Sequence, residues 1–326
     1  MRRLIYKQAG ISYCVFNPTG NITILVETPV PVSRQPSIAS RLMELEPEAE
    51  QVGFLSYPTS DDLLPEMASE LEGQSVFLGQ SDSSETRHFR LGRTLENQTA
   101  CLGQLNSSEI RSCRSERKLL CTDGNSGATS CDIALRMAGG EFCGNATMCA
   151  AVYAAMMADV TSAEVVLSVS GAVRPVRAKV DRLADGSWEG TVEMPKPERV
   201  EEVELPGAGI LPVVSFDGIS HVILDRMFER ERAEEYARLW CGFLGADAVG
   251  LMFLDEASSS LLPLVYVPAA NTLCWENSCA SGTTAVGAHL ASREGLPFTI
   301  ALRQPGGSLT VSATLDGALT ITGIVK

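Results

Sequence analysis

Two of the ten cysteines in this 326-residue chain stand in matching surroundings. Glu141-Phe142-Cys143-Gly144-Asn145-Ala146-Thr147 and Glu276-Asn277-Ser278-Cys279-Ala280-Ser281-Gly282-Thr283 both place a threonine four residues after the cysteine. In each, small residues lie between the two and an Ala-rich stretch of helical composition follows, an internal repeat of one supersecondary unit. The pattern predicts one cysteine at the start of a helix in each half of the chain. A helix N-terminus carries unpaired N–H groups and about half a positive charge, which favours thiolate and also holds a carboxylate. Two such starts facing each other would grip one α-carboxylate and set a sulfur on each face of the α-carbon. One thiolate would remove the α-proton and the opposite thiol would return a proton to the other face. Dipoles aimed at the carboxylate in a dry site are the means of stabilising the carbanion. No pyridoxal-type electron sink is demanded, and no cofactor is expected.

The elements that must hold these cysteines are legible in outline. Residues 11–27 read as strand, turn and strand, with Asn17-Pro18-Thr19-Gly20-Asn21 as the turn. A helix is expected over Ile38–Leu45 and a strand near Val52–Leu55. From about 57 to 130 the chain is rich in Ser, Glu, Arg, Asn and Gln without sustained period, and reads as a long insertion or loop. A strand over 131–137, a helix over 144–158 and strands over 164–170, 173–180 and 191–194 follow. Pro195-Lys196-Pro197-Glu198 reads as a linker. The second half repeats the theme: strands at 213–216 and 221–224, a charged helix over 228–243, and strands at 250–254 and 262–267. A turn over 275–279, a second Ala-rich helix to about 293 and a β-rich end complete it. Mixed elements without regular βαβ alternation indicate an α+β fold, each half wrapping strands around one helix. The expected domains are 1–194, carrying Cys143 and the insertion, and 195–326, carrying Cys279.

Composition removes several classes of partner. A net charge of −14 repels nucleic-acid phosphates. No stretch approaches ~18 uninterrupted apolar residues, so no membrane span is expected. The basic N-terminus lacks an apolar core of signal-peptide length, which leads to the expectation of a cytoplasmic protein with reduced thiols. Without C-x-x-C spacing and with three histidines, no metal site is expected. The expected ligand is a small amino acid, and a homodimer is the assembly considered. His221, His289, Cys149, Trp275 and Arg303 read as packing or surface residues rather than site residues, and His88 sits in the insertion.

Cys143-Gly144-Asn145 and Trp275-Glu276 with Cys279-Ala280-Ser281-Gly282 resemble the two active-site motifs of the diaminopimelate epimerase family. Within it, the closer resemblance is to the histidine racemases that supply D-histidine for opine-type, staphylopine-like metallophores. It is carried by 17–26 (NPTGNITILV), 50–54 (EQVGF), 141–148 (EFCGNATM), 275–283 (WENSCASGT) and 304–309 (QPGGSL). The resemblance implies two pseudo-symmetric domains, each a curved sheet around a central helix, with the active site in the cleft between them. It implies a cofactor-independent racemase acting on histidine, with Cys143 and Cys279 as acid and base. It further implies substrate contacts from Gly144 and Asn145 at the first helix start and from Ala280 and Ser281 at the second. Asn21 and Gln51 would be polar contacts, and Glu276 would stand near the substrate amine. Asn277 replaces an arginine that the epimerases use for the far end of diaminopimelate, and Ala280 replaces their glycine. Ile219-Ser220-His221 stands where they carry Asn-Pro-His. The alternatives are diaminopimelate epimerase itself, another two-cysteine racemase or isomerase on the same scaffold (proline racemase-like or phenazine isomerase-like), and a non-catalytic small-molecule binding protein. If both thiols carry protons, Cys143→Ala and Cys279→Ala will each abolish net inversion; normal turnover in either would exclude the two-base scheme.

Overall fold

The computed structural model describes residues 2–6, 10–57, 132–295 and 297–326. The insertion expected at about 57–130 therefore lies outside the described residues, apart from Tyr57. In the first half, β1 (Arg2–Tyr6), β2 (Ile11–Phe16) and β3 (Thr23–Val26) are antiparallel neighbours. Helix α1 (Gln35–Leu45) crosses to β4 (Gln51–Ser56), parallel to β3, and β5 (Ile133–Met137) returns antiparallel. Helix α2 (Gly144–Met157) leads to β6 (Ser162–Val169), parallel to β5, followed by the antiparallel β7 (Val176–Arg182) and β8 (Trp188–Met194).

The second half repeats this order. Antiparallel β9 (Arg199–Leu205), β10 (Gly209–Phe216) and β11 (Ile219–Leu224) precede α3 (Arg230–Leu244) and the parallel β12 (Ala248–Asp255). β13 (Ser260–Val267) then pairs with β12 and with the short β14 (Thr272–Trp275). Helix α4 (Ala280–Glu294) leads to β15 (Phe298–Gln304), β16 (Gly307–Ala313) and β17 (Leu319–Val325). The two repeats join where β17 pairs antiparallel with β8, centred on Thr191 opposite Thr322, whose hydroxyls lie 2.9 Å apart. The fold is α+β and pseudo-symmetric, as expected, and the strands form one continuous mixed sheet.

Why the helices sit where they do follows from their faces. Helix α2, GNATMCAAVYAAMM, is apolar nearly all round, with eleven of its fourteen residues buried, as befits a helix inside a curved sheet. In α4, Gly287 is needed because a Cβ there would lie 2.4 Å from Val311. The outer helices α1 and α3 are amphipathic and cover the other face of the sheet. Trp240 of α3 is fully buried and stacks on Tyr236 at 4.5 Å. No helix among the described residues is long and apolar enough to cross a membrane.

Three strands escaped the sequence reading. β1 has no apolar alternation to announce it. β9, RVEEVEL, shows no apolar alternation, its first four residues being exposed, and β14 lies between the expected strand at 262–267 and the expected turn that starts at Trp275. β7 begins at Val176 rather than 173, since Pro175 cannot donate to a ladder and Val173 is 91% exposed. Trp240→Ala should cost about 3–5 kcal/mol by leaving a cavity under α3. A chemical-denaturation midpoint lowered accordingly, with unchanged slope, is the expected result.

Candidate active site

Each repeated cysteine is the N-cap of its helix, with nearly the same backbone: φ −132°, ψ 111° at Cys143 and φ −126°, ψ 108° at Cys279. Cys143 Sγ accepts from Ala146 N–H at 3.5 Å, and Cys279 Sγ from Gly282 N–H at 3.4 Å. These are the N3 groups that a serine or aspartate cap would satisfy, so the sulfur takes the usual cap position. The threonine four residues on completes each start: Thr147 and Thr283 hydroxyls donate to the Cys143 and Cys279 carbonyls, both at 2.7 Å.

The two helix starts abut. A Cβ on Gly144, the first residue of α2, would lie 2.8 Å from Ala280 Cβ, the first of α4. A side chain at position 144 would therefore collide with Ala280. The Asn145 amide donates to the Ser278 carbonyl at 3.1 Å and the Asn21 amide to the same carbonyl at 3.0 Å. The turn that holds Asn21 has left-handed backbone at Gly20 (φ +87°), where a Cβ would strike Gly306 Cα at 2.3 Å. Asn17 and Lys326 exchange two backbone hydrogen bonds at 3.0 Å, so the first turn is stitched to the end of β17. The five resembling segments, spread over almost 300 residues, meet at this point.

Gln51 Nε2 donates to Asn21 Oδ1 and, at 2.7 Å, to Thr23 Oγ1, while its Oε1 accepts from Cys143 Sγ at 2.8 Å. Glu50 accepts from Asn21 at 2.7 Å and from the Asn277 side chain at 2.5 Å, bridging the halves. On the other side, Gln304 Oε1 accepts from Cys279 N–H at 2.8 Å and its amide donates to Thr283 Oγ1 at 2.8 Å.

Burial pushes the Cys143 thiol up to about 12 and raises Cys279 well above its ordinary range, with Glu276 adding to both. Burial likewise pushes the Glu276 carboxyl up to about 8, against a side-chain hydrogen bond with Cys279. Cys143 and Glu276 are partly exposed, whereas Cys279 is 5% exposed. Asn145 Oδ1 is buried without a partner among the described residues.

All the sequence-derived site residues, Asn21, Gln51, Cys143, Gly144, Asn145, Glu276, Cys279, Ala280 and Ser281, belong to this neighbourhood. Glu50, Thr23, Ser278 and Gln304 all lie inside the quoted motifs, but the motifs alone do not single them out. His221 is fully buried on β11 with both ring nitrogens unpartnered among the described residues, and burial holds it neutral, with its pKa pushed down to about 3. Trp275 stacks on Phe253 and donates to Glu234 at 3.1 Å, a packing role. Arg303 is exposed and donates to the Ser258 carbonyl, and Cys149 is buried in the core.

The family model for the histidine racemase CntK N-terminal domain matches residues 10–72 and 124–325. The chain belongs to this family. A histidine racemase of Fusobacterium nucleatum is 34% identical over 182 residues, 54% of this chain and 68% of that protein. One of Staphylococcus aureus is 25% identical over 312 residues, 93% of this chain and 88% of its own. Among solved structures, a "predicted epimerase" of Pseudomonas aeruginosa (12% identity, TM-score 0.56, 100% and 96% of the two chains) has the same fold. So does a probable proline racemase of Agrobacterium radiobacter K84 (12% identity, TM-score 0.56, 97% and 90%). The protein is an isomerase of the amino-acid racemase type. Gly144→Val should force the helix starts apart and lower kcat at least about 100-fold, as expected when reacting groups are misplaced by ~1 Å. Circular dichroism should meanwhile show an intact fold.

Proposed function

We propose that this chain interconverts L- and D-histidine by a two-base 1,1-proton transfer between Cys143 and Cys279, without a cofactor. The observation that carries the proposal is the meeting of two helices whose N-caps are cysteines of matching dihedral angles, touching at Gly144 and Ala280. In this reading the substrate carboxylate lies on the first-turn N–H groups of both helices, contributed by Gly144 and Asn145 and by Ala280 and Ser281. Asn145 Oδ1, without a partner among the described residues, and the Glu276 carboxylate receive the ammonium. One cysteine, as thiolate, takes the α-proton. The electron pair left on the α-carbon spreads into the carboxylate, where the helix dipoles stabilise it. The other cysteine gives its S–H proton to the opposite face, forming the new C–H bond.

Histidine is favoured over diaminopimelate by the charges nearby. The ionisable groups acting on the two thiols are the carboxylates Glu141 and Glu276, with Glu50 acting on Glu276. Asn277, standing in place of an arginine, donates to Glu50 instead of offering a cation to a distal carboxylate. An imidazole N–H suits such surroundings better than an anionic side chain. The domains 1–194 and 195–326 each supply one cysteine in this scheme. D-histidine made here would feed the biosynthesis of an opine-type metallophore, as the resemblance implies.

The Glu276 carboxyl is neutral below about 8 and ionised above it, and only the ionised form pairs with the substrate ammonium. kcat/KM for histidine should therefore rise as pH passes through about 8, and Glu276→Gln should remove that limb. Proton NMR in D2O with L-histidine should show loss of the α-proton signal, together with decay of optical activity. Exchange confined to another amino acid, or none with any, would overturn the assignment.

A further inference from the structure

The hydrogen bonds around Cys143 have a polarity that is fixed from outside and runs up to the sulfur. The Asn21 amide nitrogen faces the Glu50 carboxylate and the Ser278 carbonyl, both of which accept only. Asn21 Oδ1 must then be the atom that faces Gln51, so the Gln51 nitrogen must point at Asn21. Thr23 fixes the same orientation independently: its hydroxyl donates to the Asn21 carbonyl at 3.1 Å and so accepts from Gln51 Nε2 at 2.7 Å. With its nitrogen committed twice, Gln51 can present only Oε1 to Cys143, 2.8 Å away. A carbonyl oxygen at that distance accepts a proton from S–H and repels the lone pairs of a thiolate.

The repeat is not symmetric here. Gln304, on the other side, presents its oxygen to the Cys279 backbone N–H and leaves the sulfur alone. Cys279 Sγ lies 3.5 Å from Ser281 Oγ, a hydroxyl able to donate to a thiolate. Both sulfurs keep one N3 N–H, Cys143 has the Asn145 N–H besides, and Glu276 disfavours both thiolates, so the bias rests on the Gln51 carbonyl at Cys143 against the Ser281 hydroxyl at Cys279. The other ionisable group acting on Cys143 is Glu141, which also disfavours its thiolate.

We propose that Gln51 is a positioning residue that keeps the resting enzyme in one protonation state, with the proton on Cys143 and Cys279 as the base. This rests on the two-base reading and adds a direction to it. Resting enzyme is committed to the enantiomer whose α-hydrogen faces Cys279. The Cys279 thiolate takes that proton, the carbanion receives the Cys143 S–H proton on its other face, and the enzyme is left with Cys279–SH and a Cys143 thiolate. The thiolate facing Gln51 Oε1 is the less stable form. It returns by taking a proton from water while Cys279 releases one, or by running the reaction backwards.

The test is the pH dependence of iodoacetamide alkylation at each cysteine, read by peptide mass spectrometry on full-length protein. The pH midpoint is compared rather than the rate, because Cys143 is the more exposed thiol. In the wild type, the Cys279 curve should level off at lower pH than that of Cys143. Gln51→Met removes the acceptor at similar volume and should lower the Cys143 midpoint by at least about one pH unit, leaving Cys279 unmoved. Gln51→Glu keeps an acceptor and should hold Cys143 at or above the wild-type position. A wild-type order with Cys143 first, or equal shifts in the Met and Glu variants, would overturn the proposal. Catalysis gives a second readout. The equilibrium constant of a racemisation is one, so kcat/KM is equal in both directions and the asymmetry appears as a larger KM and kcat for one enantiomer. The ratio of the two KM values should approach one in Gln51→Met. Correct alkylation without turnover of any amino acid would defeat the racemase reading and leave this one standing, whereas turnover with the reversed order would defeat this one alone.

Discussion

The contact between Gly144 and Ala280 brings two helix N-termini together, and the rest of the molecule is arranged to permit it. Each terminus carries about half a positive charge, so their approach is repulsive, by roughly 0.7 kcal/mol at a separation of ~6 Å and an effective dielectric of ~20. That is small enough for the fold to bear and large enough to make the gap a place where negative charge is welcome. The β8–β17 pairing joins the two halves, and the carboxylates of Glu50 and Glu276 stand near the gap. A bound amino-acid carboxylate would relieve the repulsion from both sides.

Holding the termines this close demands that their own polar groups be met without filling the gap. The cap sulfurs meet the N3 amides, and Thr147 and Thr283 turn back onto the cap carbonyls. The Ser278 carbonyl, just before the second cap, is received by Asn21 and Asn145 from the other half. The first half thus completes the second half's helix start. A site built in this way is stiff, which suits chemistry that depends on exact placement of two sulfurs about one carbon.

The chain has two matching helix starts, and the residues around them differ. Gln51 acts on a sulfur while Gln304 acts on a backbone amide. A reaction that passes a proton from one side to the other needs the two sides to differ in protonation at every instant. An environment biased toward one of the two states gives the resting enzyme a single starting form.

The sequence by itself determined the pair of cysteines, their place at helix starts and the α+β repeat. These features rest on local signals: a cysteine followed by small residues, a threonine four residues on, and an apolar helical stretch. It also placed Asn21, Asn145, Glu276, Ala280 and Ser281 in the site, through motifs with a family resemblance. It missed β9 because charged residues on both faces conceal a strand held by its neighbours, and β14 because a four-residue strand beside a cap looks like a turn. Only the tertiary structure decided that Gln51 faces Cys143, that Glu50 joins Asn21 to Asn277, and that His221 is buried on β11 with neither ring nitrogen hydrogen-bonded among the described residues. Those are pairings between segments tens to hundreds of residues apart. Local composition cannot encode which amide atom faces which neighbour, because that orientation follows from acceptors brought in by other parts of the sheet.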